Sequence, residues 1–148
     1  MVSYGGGANS TALLIGLHQH RIPVDLILFA DTGAEHPHTY AYLEVMDRWL
    51  KDHGMPPIIR VYKTTRDGKR LTLEDECLQS CSLPSIAYGF KRCSLKHKIG
   101  PQEKFCNHYP PCQKEGTEKH TIFILTLIKK KKSIRVFMIL VDFLLDKI

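Results

Sequence analysis

The 148-residue chain has no long apolar run. Its longest uncharged apolar stretches, Ile122–Ile128 and Val136–Val141, fall far short of the ~18–20 residues that a membrane-spanning helix needs, so no transmembrane helix is expected. The N-terminal MVSYGGG lacks both the basic and the apolar region of a secretion signal, and a reducing, cytoplasmic setting is expected. Cysteines are few and odd in number, five in all, with one close pair, Cys77 and Cys81. Zinc sites usually show two such pairs, so free thiols and no bound metal are expected. Charge of one sign is also scarce: most of the net +6 comes from residues 121–148, which hold six Lys/Arg against two Asp, leaving residues 1–120 at about +2. So small a balance does not argue for a nucleic-acid partner.

Glycine and proline give out before the chain does. The last Gly is Gly116 and the last Pro is Pro111, and 19 of the 28 residues from 121 to 148 are Ile, Leu, Lys or Phe. The expected organisation is one α/β domain over residues 1–116, followed by an Ile/Leu/Lys-rich tail over 117–148. The tail is either a terminal strand and helix or a segment foreign to the fold, truncated or divergent from it.

What the first hundred residues do have is alternation. Val2-Ser3-Tyr4 reads as a strand end, Gly5-Gly6-Gly7 as a turn, and Ser10–His20 as a helix with Leu13, Leu14 and Leu17 on one side. Val24–Ala30 is apolar enough for a strand covered on both faces. Pro37 opens a helix with Tyr40, Leu43, Met46 and Leu50 as its stripe, ending near His53-Gly54. Ile58–Tyr62 is the third strand. Beyond it come a polar turn over Thr64–Arg70, a short helix over Leu71–Leu78, a cationic loop over Ser80–Lys98 and a helix from Pro101 to Phe105. The β-α-β-α-β order predicts a parallel sheet with crossover helices.

Gly5-Gly6-Gly7 lies between a strand and a helix, where backbone amides and the positive end of a helix dipole can hold an anion. The plain alternative is a glycine turn with Asn9 or Ser10 capping the helix. The loop is neither a Walker A sequence nor the dinucleotide fingerprint.

Three segments, taken together, carry a resemblance. Tyr4-Gly5-Gly6-Gly7-Ala8-Asn9-Ser10-Thr11 resembles the PP-loop of the adenine nucleotide α-hydrolase superfamily. The segment from Phe29 to Tyr40, with Asp31-Thr32-Gly33, Glu35, Pro37 and Thr39, is similar to the motif after the second strand in the phosphoadenosine phosphosulfate reductase family. Lys91–Pro101 resembles that family's basic R-C…K-x-x-P loop.

The resemblance implies a doubly wound, Rossmann-like parallel sheet with an adenine nucleotide or sulfonucleotide at the carboxyl ends of its strands. Gly5, Gly6, Gly7, Asn9, Ser10 and Thr11 would hold the phosphate or sulfate end. Asp31, Thr32, Gly33 and Glu35 would line the cleft, and Arg92, Lys96 and Lys98 would supply cations. The family reaction is thiol-dependent reduction of 3′-phosphoadenylyl sulfate to sulfite, with a thioredoxin-type reductant as partner and no bound cofactor.

Departures from the pattern keep other readings in play. Gly5 stands where the PP-loop usually has Ser and Asn9 where it usually has Asp, which weakens an ATP pyrophosphatase using magnesium. The family's Glu-Cys-Gly-Leu-His segment, which carries the catalytic cysteine, is absent, so no catalytic residue is assigned and a non-catalytic nucleotide-binding remnant is the third reading. Cys93 is followed by Ser94 rather than by a second cysteine, so no iron–sulfur cluster is expected. His36 and His38 read as helix-start surface residues.

Overall fold

A computed structural model describes residues 1–83 and 92–109, and of Arg92 only the backbone. The expected tail over 117–148, Cys112 and the Arg92 side chain lie outside the described residues. The order is β1 (Val2–Tyr4), α1 (Ala8–Gln19), β2 (Ile27–Ala30), α2 (Pro37–Asp52), β3 (Ile58–Val61), α3 (Leu73–Ser80), α4 (Arg92–Ser94), a π-helical turn (Leu95–Ile99) and α5 (Gly100–His108).

The three strands form a parallel sheet in the order β1-β2-β3. Val2 lies beside Ile27 and Ile27 beside Ile58, so these alternate residues share one face. Val2, Tyr4, Ile27 and Phe29 meet Leu13, Leu14 and Leu17 of α1 and Leu43, Met46 and Leu50 of α2. The opposite set, Leu26, Leu28, Ala30 and Val61, meets Phe105, Cys106 and Tyr109 from α5 and its end. Every residue of β2 is buried, as its unbroken apolar sequence requires. Both crossovers step the same way across the sheet, and crossovers of one hand that do so place both helices on one face. That leaves the other face to α5.

The boundaries shift from the sequence reading for local reasons. α1 begins at Ala8 with Gly7 as its N-cap, not at Ser10, and Gly7 brings no capping side chain. β2 is shorter than Val24–Ala30 because pairing with β1 begins at Ile27. α3 runs Leu73–Ser80 rather than Leu71–Leu78, since the Thr72 hydroxyl accepts from the Asp75 amide at 3.1 Å while the Asp75 carboxylate accepts from the Thr72 amide at 3.1 Å. The largest correction is Arg92–Lys98, the end of the expected Ser80–Lys98 loop, which is helical: no Gly or Pro interrupts it, and it buries His97.

Leu14 is fully buried beneath β1 and β2. Leu14→Ala should therefore cost about 2–5 kcal/mol, read as a lowered midpoint in urea unfolding at unchanged slope.

Candidate functional site

Because the strands are parallel, their carboxyl ends lie along one edge. The segments that follow them, Gly5–Gly7, Asp31–His36 and the chain from Tyr62 to Thr72, collect there. The amide of Asp31 extends the pairing by donating to Val61 O at 2.8 Å.

Of the three loop glycines, only Gly6 has a positive φ, 71°. A Cβ there would lie 2.7 Å from Thr39 Cγ2 on α2 and 3.6 Å from Phe29 Cε2. Glycine is thus required twice, by conformation and by space, and the glycine loop is seated on the start of α2. The two hydroxyls that follow are buried and turned inward. Ser10 Oγ donates to Gly7 O at 3.0 Å and accepts from Gly5 N at 3.3 Å. Thr11 Oγ1 donates to Gly7 O at 3.1 Å and lies 3.0 Å from the Tyr4 hydroxyl, which burial holds above its ordinary pKa. The expected part for Ser10 and Thr11 as phosphate donors is therefore taken in this structure by shaping the loop. What the loop offers outward is the first-turn amides of α1, which an α-helix leaves without intrahelical acceptors; no acidic residue stands in that turn, and Asn9 is exposed.

The second segment is organised by Asp31, 6% exposed. Its Oδ1 accepts from the Gly33 amide at 2.9 Å and the Tyr40 hydroxyl at 2.8 Å, and its Oδ2 from Arg70 at 2.8 Å. Burial, reinforced by this carboxylate, raises the Tyr40 pKa, so the hydroxyl stays a donor. Gly33, with φ 75°, leaves no room for a Cβ beside Thr72, whose side chain lies within 2.8 Å of that position. Asp31 is a structural anchor with three donors already on it, not a free base. Arg70 also lies over the Tyr62 ring, 5.4 Å from its centre.

The π-helical turn joins this edge through Lys98, whose Nζ is 2.8 Å from Glu35 Oε1; the same oxygen accepts from the Thr32 hydroxyl at 3.3 Å. Lys96 turns instead to Glu76 Oε1 at 2.8 Å. Glu76 Oε2 lies 2.5 Å from both Lys63 Nζ and His97 Nε2. Lys63 first, then Lys96, and more weakly His97, pull the Glu76 carboxyl down to about 2 against the opposing effect of burial.

Glu76, Lys63 and Arg70 lie outside the three motif segments, and His97 and Thr39 lie inside them without an assigned role. Their partners lie 13 to 39 residues away, beyond the reach of any short motif. Of the three outside the motifs, Glu76 alone carries a sequence signal, an acidic residue in the first turn of a capped helix.

No protein-family model matches the chain, and no curated protein matches it. Among the described residues, no helix is long and apolar enough to cross a membrane.

Two outcomes follow from this geometry. Gly6→Ala should lose about 1–3 kcal/mol of stability through its positive φ and its contact with Thr39, and adding Thr39→Ser, which removes Cγ2, should recover part of the loss in urea unfolding. Glu76, lowered from 4.5 to about 2 in the fold, contributes stability that is complete above pH 4.5 and fades as the pH falls toward 2. After solvent screening this is on the order of 1–2 kcal/mol, and Glu76→Gln should flatten that acid limb of the stability–pH curve.

Proposed function

We propose that this chain binds a phosphate- or sulfate-bearing adenine nucleotide at the carboxyl end of a doubly wound parallel sheet, in the manner of the phosphoadenosine phosphosulfate reductase family that its motifs resemble. The observation that carries the reading is the convergence of three segments far apart in sequence. Gly6 packs on Thr39, and Lys98 pairs with Glu35, so the glycine loop, the Asp31–Thr39 segment and the basic segment border one edge of the sheet. The coverage of both sheet faces, by α1 and α2 on one side and α5 on the other, supports the doubly wound architecture.

The chemistry of that edge suits an anion. Backbone amides at the start of α1, a glycine turn that lets a ligand approach the main chain, and lysines on the neighbouring segment are the groups that bind phosphate and sulfate. Gly5, Gly6, Gly7, Asn9, Ser10 and Thr11 would form the cradle, the two hydroxyls by holding its shape. Thr32, Gly33 and Glu35 would border the cleft, and Arg92, Lys96 and Lys98 would supply positive charge. A sulfonucleotide fits better than ATP with magnesium, because Asp31 is engaged by Arg70, Tyr40 and Gly33 and position 9 holds a neutral Asn. The reaction that the resemblance brings is thiolate attack on the sulfur of 3′-phosphoadenylyl sulfate, which expels adenosine 3′,5′-bisphosphate and leaves the sulfo group on the thiol; a thioredoxin-type dithiol then restores the thiol, releasing sulfite and ending as its own disulfide. The residues on this edge provide for binding and orienting the nucleotide.

Thermal unfolding of the full chain tests the reading. Adenosine 3′,5′-bisphosphate at about 100 times its Kd should add about 2.7 kcal/mol and raise the midpoint, and Gly7→Asp, which puts a carboxylate over the first-turn amides of α1 at a position where a Cβ meets open space, should abolish the shift. A shift given only by ATP with magnesium, or by neither ligand, contradicts it.

A further inference from the structure

We infer that Glu76 is a positioning residue for the anion site, a single carboxylate that sets the basic segment Lys96–Lys98 against the carboxyl end of the sheet. The inference rests on the nucleotide-binding reading above and assigns a part to a residue that none of its motifs contains.

Glu76 stands in the first turn of α3 and draws donors from two other parts of the chain: Lys63, just past β3, and Lys96 and His97 of the π-helical turn. His97 is 1% exposed, and among the described residues its ring has no hydrogen-bond partner besides Glu76, Nδ1 being buried and unpaired. A buried imidazole with one partner depends on that partner to be there at all. The turn is also wider than an α-helix, the kind of local departure that often marks a functional segment. It buries His97 while the lysines on either side diverge, Lys96 to Glu76 and Lys98 to Glu35.

The sign of the effect follows from charge. Without the carboxylate, Lys63, Lys96 and the His97 ring face one another with no anion between them, and the segment loses its seat on α3. Lys98 then leaves the edge where Glu35 holds it. Removing Glu76 therefore weakens anion binding. The opposite view, in which Glu76 merely occupies Lys96 and its loss frees a cation for the ligand, requires binding to strengthen.

The test compares wild type, Glu76→Gln, the pair K96M/K98M, and that pair combined with Glu76→Gln, all as the full chain. In Glu76→Gln, amide hydrogen exchange without ligand should speed up over residues 95–99 while the β2 amides keep their protection; unchanged exchange at 95–99 overturns the inference. Calorimetric titration with adenosine 3′,5′-bisphosphate should show at least tenfold weaker binding for Glu76→Gln, partial recovery with Glu76→Asp, and no further loss from Glu76→Gln once Lys96 and Lys98 are Met. Equal or tighter binding by Glu76→Gln, or an undiminished loss in the lysine-free background, overturns it. If the wild type binds no bisphosphate, the functional reading fails, while the exchange result still decides whether Glu76 seats the segment.

Discussion

Burial of β2 on both faces is the constraint on which everything else depends. A strand apolar at Leu26, Ile27, Leu28, Phe29 and Ala30 can be satisfied only by neighbours on both edges and helices on both sides, and it finds β1, β3, α1, α2 and α5. Parallel pairing then brings the chain out of all three strands at the same edge. The polar residues that could not be placed in such a core, from Asp31 onward, begin where the strand ends. The candidate site is thus a consequence of how the sheet is buried.

At that edge the organisation is electrostatic. Asp31, Glu35 and Glu76 each pair with distant parts of the chain: Asp31 with Arg70, Glu35 with Lys98, and Glu76 with Lys63, Lys96 and the His97 ring. Exposed pairs of this kind are individually weak, but the carboxylates here are buried or partly buried, and those of Asp31 and Glu35 also accept from hydroxyl or amide donors, which fixes their orientation. The result is an edge whose negative charge is matched from within, beside a glycine loop with no acidic residue in the turn that follows it.

The alternation of strands and helices was legible in the sequence, because apolar spacing reports burial directly: the Leu43, Met46 and Leu50 stripe and the unbroken run of β2 lie where the pattern puts them. The glycine loop was legible too, though not which glycine mattered; only the packing of Gly6 on Thr39 decides that. Arg92–Lys98 reads as loop from sequence because small and cationic residues crowd it, and what makes it helical is its tertiary setting, with His97 seated on Glu76. Ser10 and Thr11 show the same limit from the other side. Their identity suggested outward donors, whereas the nearest acceptor, Gly7 O, turns them inward.

The claim that these segments form one anion-binding edge is tested most directly by following the backbone amide resonances of the full chain as adenosine 3′,5′-bisphosphate is added. The account predicts that the largest shifts fall on Gly5–Thr11 and Lys96–Lys98 together, with Thr32–Glu35 moving alongside. Shifts confined to another part of the molecule, such as the shallow cavity lined by Asp47, Lys51 and Met55 at the opposite end of α2, or no shifts at saturating ligand, would contradict it.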